Sequence, residues 1–98
     1  MPLNPAPGYA ATKDQLATRL HRIEGQVRGI ERMVDEERYC IDVLTQISAI
    51  QAALDKVALS LLDDHARNCL LRDGAGPNEP DAQATELMSA VGRLMRRG

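Results

Sequence analysis

Two apolar seams, out of phase with each other, constrain this chain more than any other feature. Leu16, Leu20, Ile23, Val27, Ile30 and Val34 recur at alternating spacings of four and three residues, the pattern of a helix packed along one stripe. Continued, that seam would fall on Glu37, Ile41, Leu44, Ser48 and Gln51, and it fails there. A second seam takes over at Val43, Ile47, Ile50, Leu54, Val57 and Leu61. The change of phase predicts a break near residues 36–41, although no Gly or Pro marks it. A first helix then starts at about Thr12, and a second runs from about Ile41 to Leu71.

The flanks follow from composition. Residues 1–11, with Pro2, Pro5, Pro7 and Gly8, read as a frayed, disordered N-terminal tail, leaving 12–98 as a single domain. Gly74, Gly76 and Pro77 stop the second helix, and Pro80 suits the first turn of a third, about 80–96, which carries Leu87, Val91 and Leu94. There is no Phe or Trp, and only Tyr9 and Tyr39 are aromatic, so any core is aliphatic. Such a core suits helix-on-helix packing, and the fold class is all-α, with three helices and no strands. A chain of this size buries only about 60–65% of its unfolded surface by itself. The second helix has an additional stripe (Leu44, Ala58, Leu62) and alanines at 49, 52 and 53. Burial on two sides points to an assembly.

Cys40, His65 and Cys69 are the candidate chemistry. Two thiols and an imidazole are the ligand set that a soft metal of low coordination number, such as Cu(I), selects. Tetrahedral zinc would want a fourth ligand, and none is placed to supply it. His65 and Cys69, four apart, share one helix face. Cys40 sits at the other end of the same helix, roughly 35–45 Å away at ~1.5 Å rise per residue. One copy can close neither this site nor a disulfide, whose Cα atoms must approach to about 6 Å. A second copy running antiparallel can close the site. Its crossing point falls at Ala52, Ala53 and Leu54, with Ala49 one turn away, where small side chains allow close approach. Taken singly, each ligand has a plainer role: Cys69 as a small core residue, His65 as a cation at a helix C-terminus, Cys40 as filler.

The formal charge of −2 and pI near 5.6 do not advertise nucleic-acid binding. Between Lys13 and Arg32, however, five basic residues face three acids. A stripe of Gln15, Arg19, Arg22, Gln26 and Gly29 runs beside the first seam, either as an ordinary polar face or as a phosphate contact. Gly25 and Gly29 each cost a helix interior about 0.5–1 kcal/mol, which predicts close backbone approach by a neighbouring helix or by DNA. Two cysteines, no secretory signal and no bilayer-length apolar run predict a cytoplasmic chain without membrane attachment. With no nucleophile–base pair and no phosphate-binding loop, it does not read as an enzyme.

The stretch Arg19-Leu-His-Arg-Ile-Glu-Gly-Gln-Val-Arg-Gly-Ile30, then Tyr39-Cys-Ile-Asp-Val-Leu-Thr-Gln-Ile-Ser-Ala49, then His65-x-x-x-Cys69, resembles the copper-sensitive operon repressor (CsoR) family over about residues 13–96. The resemblance implies an antiparallel dimer assembled into a dimer-of-dimers tetramer, without a winged or helix-turn-helix reader. It implies Cu(I) held by Cys40 of one protomer and His65 and Cys69 of the other. It further implies a repressor that occupies operator DNA when metal-free and is released by Cu(I), derepressing copper-resistance genes. Tyr39 and Glu86 match positions that link the metal-bound histidine to the third helix. Arg19 matches a DNA-contact position and Lys56 a basic one; with Arg22 they are expected to reach phosphates. Leu59 stands where some relatives are basic. Nickel and cobalt sensors of this kind carry histidine in place of Cys69, and persulfide sensors lack His65. Formaldehyde sensors use an N-terminal proline, for which Pro2 is suggestive, but lack the last cysteine. The alternatives are a persulfide, thiol or other-metal sensor, or a helical copper-binding scaffold that does not touch DNA.

Overall fold

The structure, a computed structural model, describes residues 6–70 and 76–96. A 3-10 turn, Ala10–Thr12, leads into α1 (Lys13–Asp35). Next, α2 (Cys40–His65) runs on into one π-helical turn, Ala66–Leu70, and α3 spans Pro80–Met95 with Pro80 in its first turn. Among the described residues there is no strand, and the all-α class holds.

The break between the seams falls at Glu36–Tyr39, and its geometry explains how a helix stops without Gly or Pro. Glu37 takes the left-handed conformation (φ 55°). Its N–H donates to the Val34 carbonyl at 3.0 Å, and the Arg38 N–H donates to the Met33 carbonyl at 2.9 Å. This is the paired Schellman closure that glycine usually makes. A Cβ-bearing residue there costs about 1–2 kcal/mol, and the two hydrogen bonds that close the last turn hold it in place.

The short link folds α2 back along α1. Leu16, Ile23, Ile50 and Val57 form the buried cluster, with Ile30, Ala53 and Leu61 packed against it. The four buried residues are alternate members of their seams. On α1 the other members, Leu20, Val27 and Val34, are 46, 46 and 60% exposed; on α2, Ile47 and Leu54 are also exposed. The radius of gyration is 17.3 Å, against about 13 Å for a compact domain of 100 residues. The protomer is a long hairpin with a thin core. α3 stands off from it across a cavity of about 470 Å³ lined by Leu61, Leu62, His65, Glu86, Leu87 and Val91.

Two expectations change. Composition predicts a tail through residue 11, but the described part of that segment is docked. Ala10 N–H donates to the Pro7 carbonyl (3.0 Å) and Thr12 N–H to the Tyr9 carbonyl (2.9 Å), and Gly8 is buried. The partners of this segment lie more than 50 residues away in the chain, so its Pro- and Gly-rich composition could not disclose them. Pro2 and Pro5 lie outside the described residues. The second helix is also not one α-helix to Leu71: α geometry ends at His65, and Leu71 lies outside the described residues.

Replacing Glu37 with Gly removes the left-handed Cβ penalty. At fixed protein concentration we expect stability to rise by about 1 kcal/mol, read as a higher urea midpoint with an unchanged slope.

Candidate metal centre

His65 is the last α residue of α2, and Cys69 lies in the π turn that follows, so the hydrogen-bond register widens between the two candidate ligands. Register changes of this kind collect at functional sites. Asp63 braces the start of the turn through Arg67, whose Nε donates to both carboxylate oxygens at 3.0 Å. His65 and Cys69 open onto one cavity of about 310 Å³, which Pro7, Gly8, Tyr9, Leu61 and Gly76 complete. Cys69 is 5% exposed, and the His65 side chain is 31% exposed.

Glu86, on α3, approaches His65 from the other side, with its Oε1 3.9 Å from Nε2. Gly76 brings the chain between α2 and α3 up to this pair. Its φ is +109°, and a Cβ there would stand 3.6 Å from Glu86 Oε1 and 4.0 Å from His65 Cε1. Gln83 Nε2 donates to the Pro77 carbonyl at 2.9 Å and ties this connection to the first turn of α3.

Cys40 is the first residue of α2, exposed, with exposed Tyr39 just before it. α2 has 26 residues, so Cys40 and Tyr39 lie roughly 40 Å from His65 at ~1.5 Å per residue. The protomer brings His65, Cys69 and Glu86 together and keeps Cys40 and Tyr39 apart from them. Among the described residues, no group of three or more His, Cys, Asp or Glu is placed to hold a metal ion.

The basic candidates converge. Arg19, Arg22 and Gln26 from α1 and Lys56 from α2 rim a single groove of about 630 Å³ between the helices, with Ala49, Ala52 and Ala53 in its lining. Leu59 also lines it, so one edge is apolar. His21 sits beside Glu24 (3.7 Å) on an exposed surface.

A Cβ built on Gly25 or Gly29 meets nothing of its own chain within 4 Å, which leaves both positions open to a second copy or to DNA. Sequence reasoning misses Gly8, where a Cβ would stand 2.7 Å from the Asp64 carbonyl oxygen. Sequence reasoning also misses Thr12, Asp64 and Asn68, which hold that approach, because helical periodicity carries no signal for contacts of a non-helical segment.

A sequence model described as "Metal-sensitive transcriptional repressor" matches residues 12–93. The protein is thus of a class of transcriptional regulators and not of enzymes. The chain is 64% identical over 84 residues to the copper-sensing transcriptional repressor CsoR of Bacillus subtilis, covering 86% of this chain and 82% of that one. It is 54% identical over 93 residues to the copper-sensing transcriptional repressor RicR of Mycobacterium tuberculosis, covering 93% and 96%. The crystal structure of the copper-sensing repressor CsoR with Cu(I) from Geobacillus thermodenitrificans superposes with a TM-score of 0.75 at 40% identity, over 98% of this chain and 94% of that one. The chain belongs to the CsoR family of metal-sensitive transcriptional repressors.

The two thiols differ sharply in access. We expect iodoacetamide to modify Cys40 in the metal-free protein at least about tenfold faster than Cys69, because alkylation follows thiolate exposure. Peptide mass spectrometry of a time course reads both rates.

Proposed function

We propose that this chain is a Cu(I)-responsive repressor that binds operator DNA when metal-free, releases it on binding Cu(I), and so derepresses copper-resistance genes in the cytoplasm. The observation that carries this reading is the division of the ligand set along α2. His65 and Cys69 share a cavity at one end, while Cys40 stands exposed at the other. Two copies lying antiparallel would bring Cys40 of each to the cavity of the other. The uncovered seam members Leu20, Val27, Val34, Ile47 and Leu54 supply the apolar surface for such a dimer and for its assembly into a tetramer.

The donor set fits the metal. Cys40, His65 and Cys69 would hold it, and bound Cu(I) would supply a soft centre that cross-links two protomers through thiolates and an imidazole. The protein's own part is orientation. Glu86, with Oε1 3.9 Å from His65 Nε2, is within reach of the ring and would orient it on closing to hydrogen-bond distance, linking the end of α2 to α3, and Tyr39 of the opposite copy would arrive with Cys40. The names of the two sequence relatives, each described as copper-sensing, support copper over other metals.

DNA attachment falls to Arg19, Arg22 and Lys56, which rim one groove and would reach phosphates. With Tyr9 and Tyr39 the only aromatic residues and neither on this groove, base stacking contributes nothing, and sequence preference rests on polar side chains and DNA shape. Because binding free energies are linked, copper that weakens DNA binding must itself be weakened equally by DNA.

A gel shift with the chain's own upstream DNA, with and without Cu(I), tests the reading. We expect retarded DNA that copper frees; a chain that never retards it would be a copper-binding scaffold. His65→Ala should keep DNA binding and lose copper release, whereas a thiol or persulfide sensor would survive that change. A shared site makes a further prediction. Cys40→Ser and Cys69→Ser should each bind Cu(I) poorly, but on mixing and subunit exchange about a quarter of the wild-type sites should return, because half the dimers are mixed and each has one intact site. Arg19→Ala should weaken operator binding and lower the salt-dependence slope by about one for each phosphate that the side chain neutralises.

A further inference from the structure

The groove between α1 and α2 has two walls of different chemistry. On the α1 side, exposed Arg19 and Arg22 carry the charge. On the α2 side, Ala49, Ala52, Lys56 and Leu59 follow one another at spacings of three, four and three residues, so they share one helix face, and all four are exposed. Lys56 is the one charged residue of the four. Leu59, one turn beyond it, is 60% exposed. The α2 wall is therefore apolar apart from a single ammonium.

A lone exposed leucine is ordinary on a protein surface. Leu59 differs in its company, since it stands at the edge of a groove framed by three cations and continues the methyl groups of Ala49 and Ala52. Nor does it belong to the seam left open for a second copy. It lies five residues after Leu54, which puts it about 140° around the helix from that seam at ~100° per residue. The two surfaces face different ways.

An occupant of this groove must match both walls, being anionic toward Arg19, Arg22 and Lys56 and apolar toward Leu59. Duplex DNA offers that pairing. Phosphates run along the rims of the major groove, and the C5 methyl of each thymine projects into it from the base edge. Phosphate contacts position the protein without reading sequence, whereas a leucine covering a thymine methyl distinguishes thymine from the other bases. Covering one methyl group changes affinity by about fourfold.

Resting on the reading of this chain as an operator-binding repressor, we propose that Leu59 is a specificity-determining residue that packs against thymine methyl groups in the major groove while Arg19, Arg22 and Lys56 hold the flanking phosphates. It adds an apolar preference to the readout by polar side chains and DNA shape. A lysine at this position would neutralise one more phosphate and tighten binding to any sequence. Leucine gives up that charge for discrimination.

The test uses the metal-free full chain and its own upstream DNA, prepared with thymidine or with deoxyuridine throughout. Deoxyuridine removes the methyl group and keeps the base pairing. By fluorescence anisotropy, the parent should bind the thymidine duplex at least about fourfold more tightly than the deoxyuridine duplex. Leu59→Ala should lose that preference, weakening on the thymidine duplex by about fourfold and staying within about 1.5-fold of the parent on the other. Leu59→Lys should bind both duplexes more tightly, without preference, and steepen the salt dependence by about one. Arg19→Ala should weaken both equally and keep the preference. A thymidine preference that persists in Leu59→Ala, or none in the parent, overturns the inference and leaves the functional reading standing. A changed oligomeric state of Leu59→Ala in sedimentation assigns the residue to a contact between copies and overturns it too. If the parent binds neither duplex, the functional reading itself fails and takes the inference with it.

Discussion

The interaction on which everything else depends is the packing of α1 on α2, and its defining property is that it uses half of each seam. Leu16 and Ile23 pack with Ile50 and Val57, while Leu20, Val27 and Val34 stay in water. Apolar area of that kind is stabilising only when covered, at about 25 cal/mol per Å². The extended shape, 52 Å along its longest axis, has the same origin: two long helices with no third layer closed over them.

α2 then acts as a ruler. Its α-helical part starts at Cys40 and ends at His65, so the helix sets how far apart the two halves of the proposed ligand set lie. Rigidity is what gives that separation meaning. A flexible loop of the same length could curl and close the site within one copy, whereas a continuous helix cannot. The widened turn at 66–70 places Cys69 in the same cavity as His65 without leaving the helical path.

Around that cavity, three parts of the chain that are distant in sequence meet: the segment at 7–12, the end of α2, and the first turns of α3 with Gly76 and Glu86. The segment at 7–12 leads directly into α1, and Glu86 belongs to α3.

Much of this was legible in the residues alone. Seam periodicity set the helix count and the class, the loss of phase placed the break, and the spacing of Cys40 from His65 and Cys69 put them at opposite ends of one helix. These are consequences of helical geometry, which is local and regular, so a one-dimensional pattern carries them. What only the tertiary structure decided is everything that depends on contacts between segments far apart in the chain. Gly8 needs its hydrogen because of Asp64 and His65, more than 50 residues on, and the Thr12 hydroxyl donates to the Asp64 carboxylate of the same region. Arg19 and Lys56 share a groove only because the hairpin folds. The left-handed Glu37 and the π turn between the ligands were also beyond periodicity, since both are set by backbone hydrogen bonds that no side-chain pattern records.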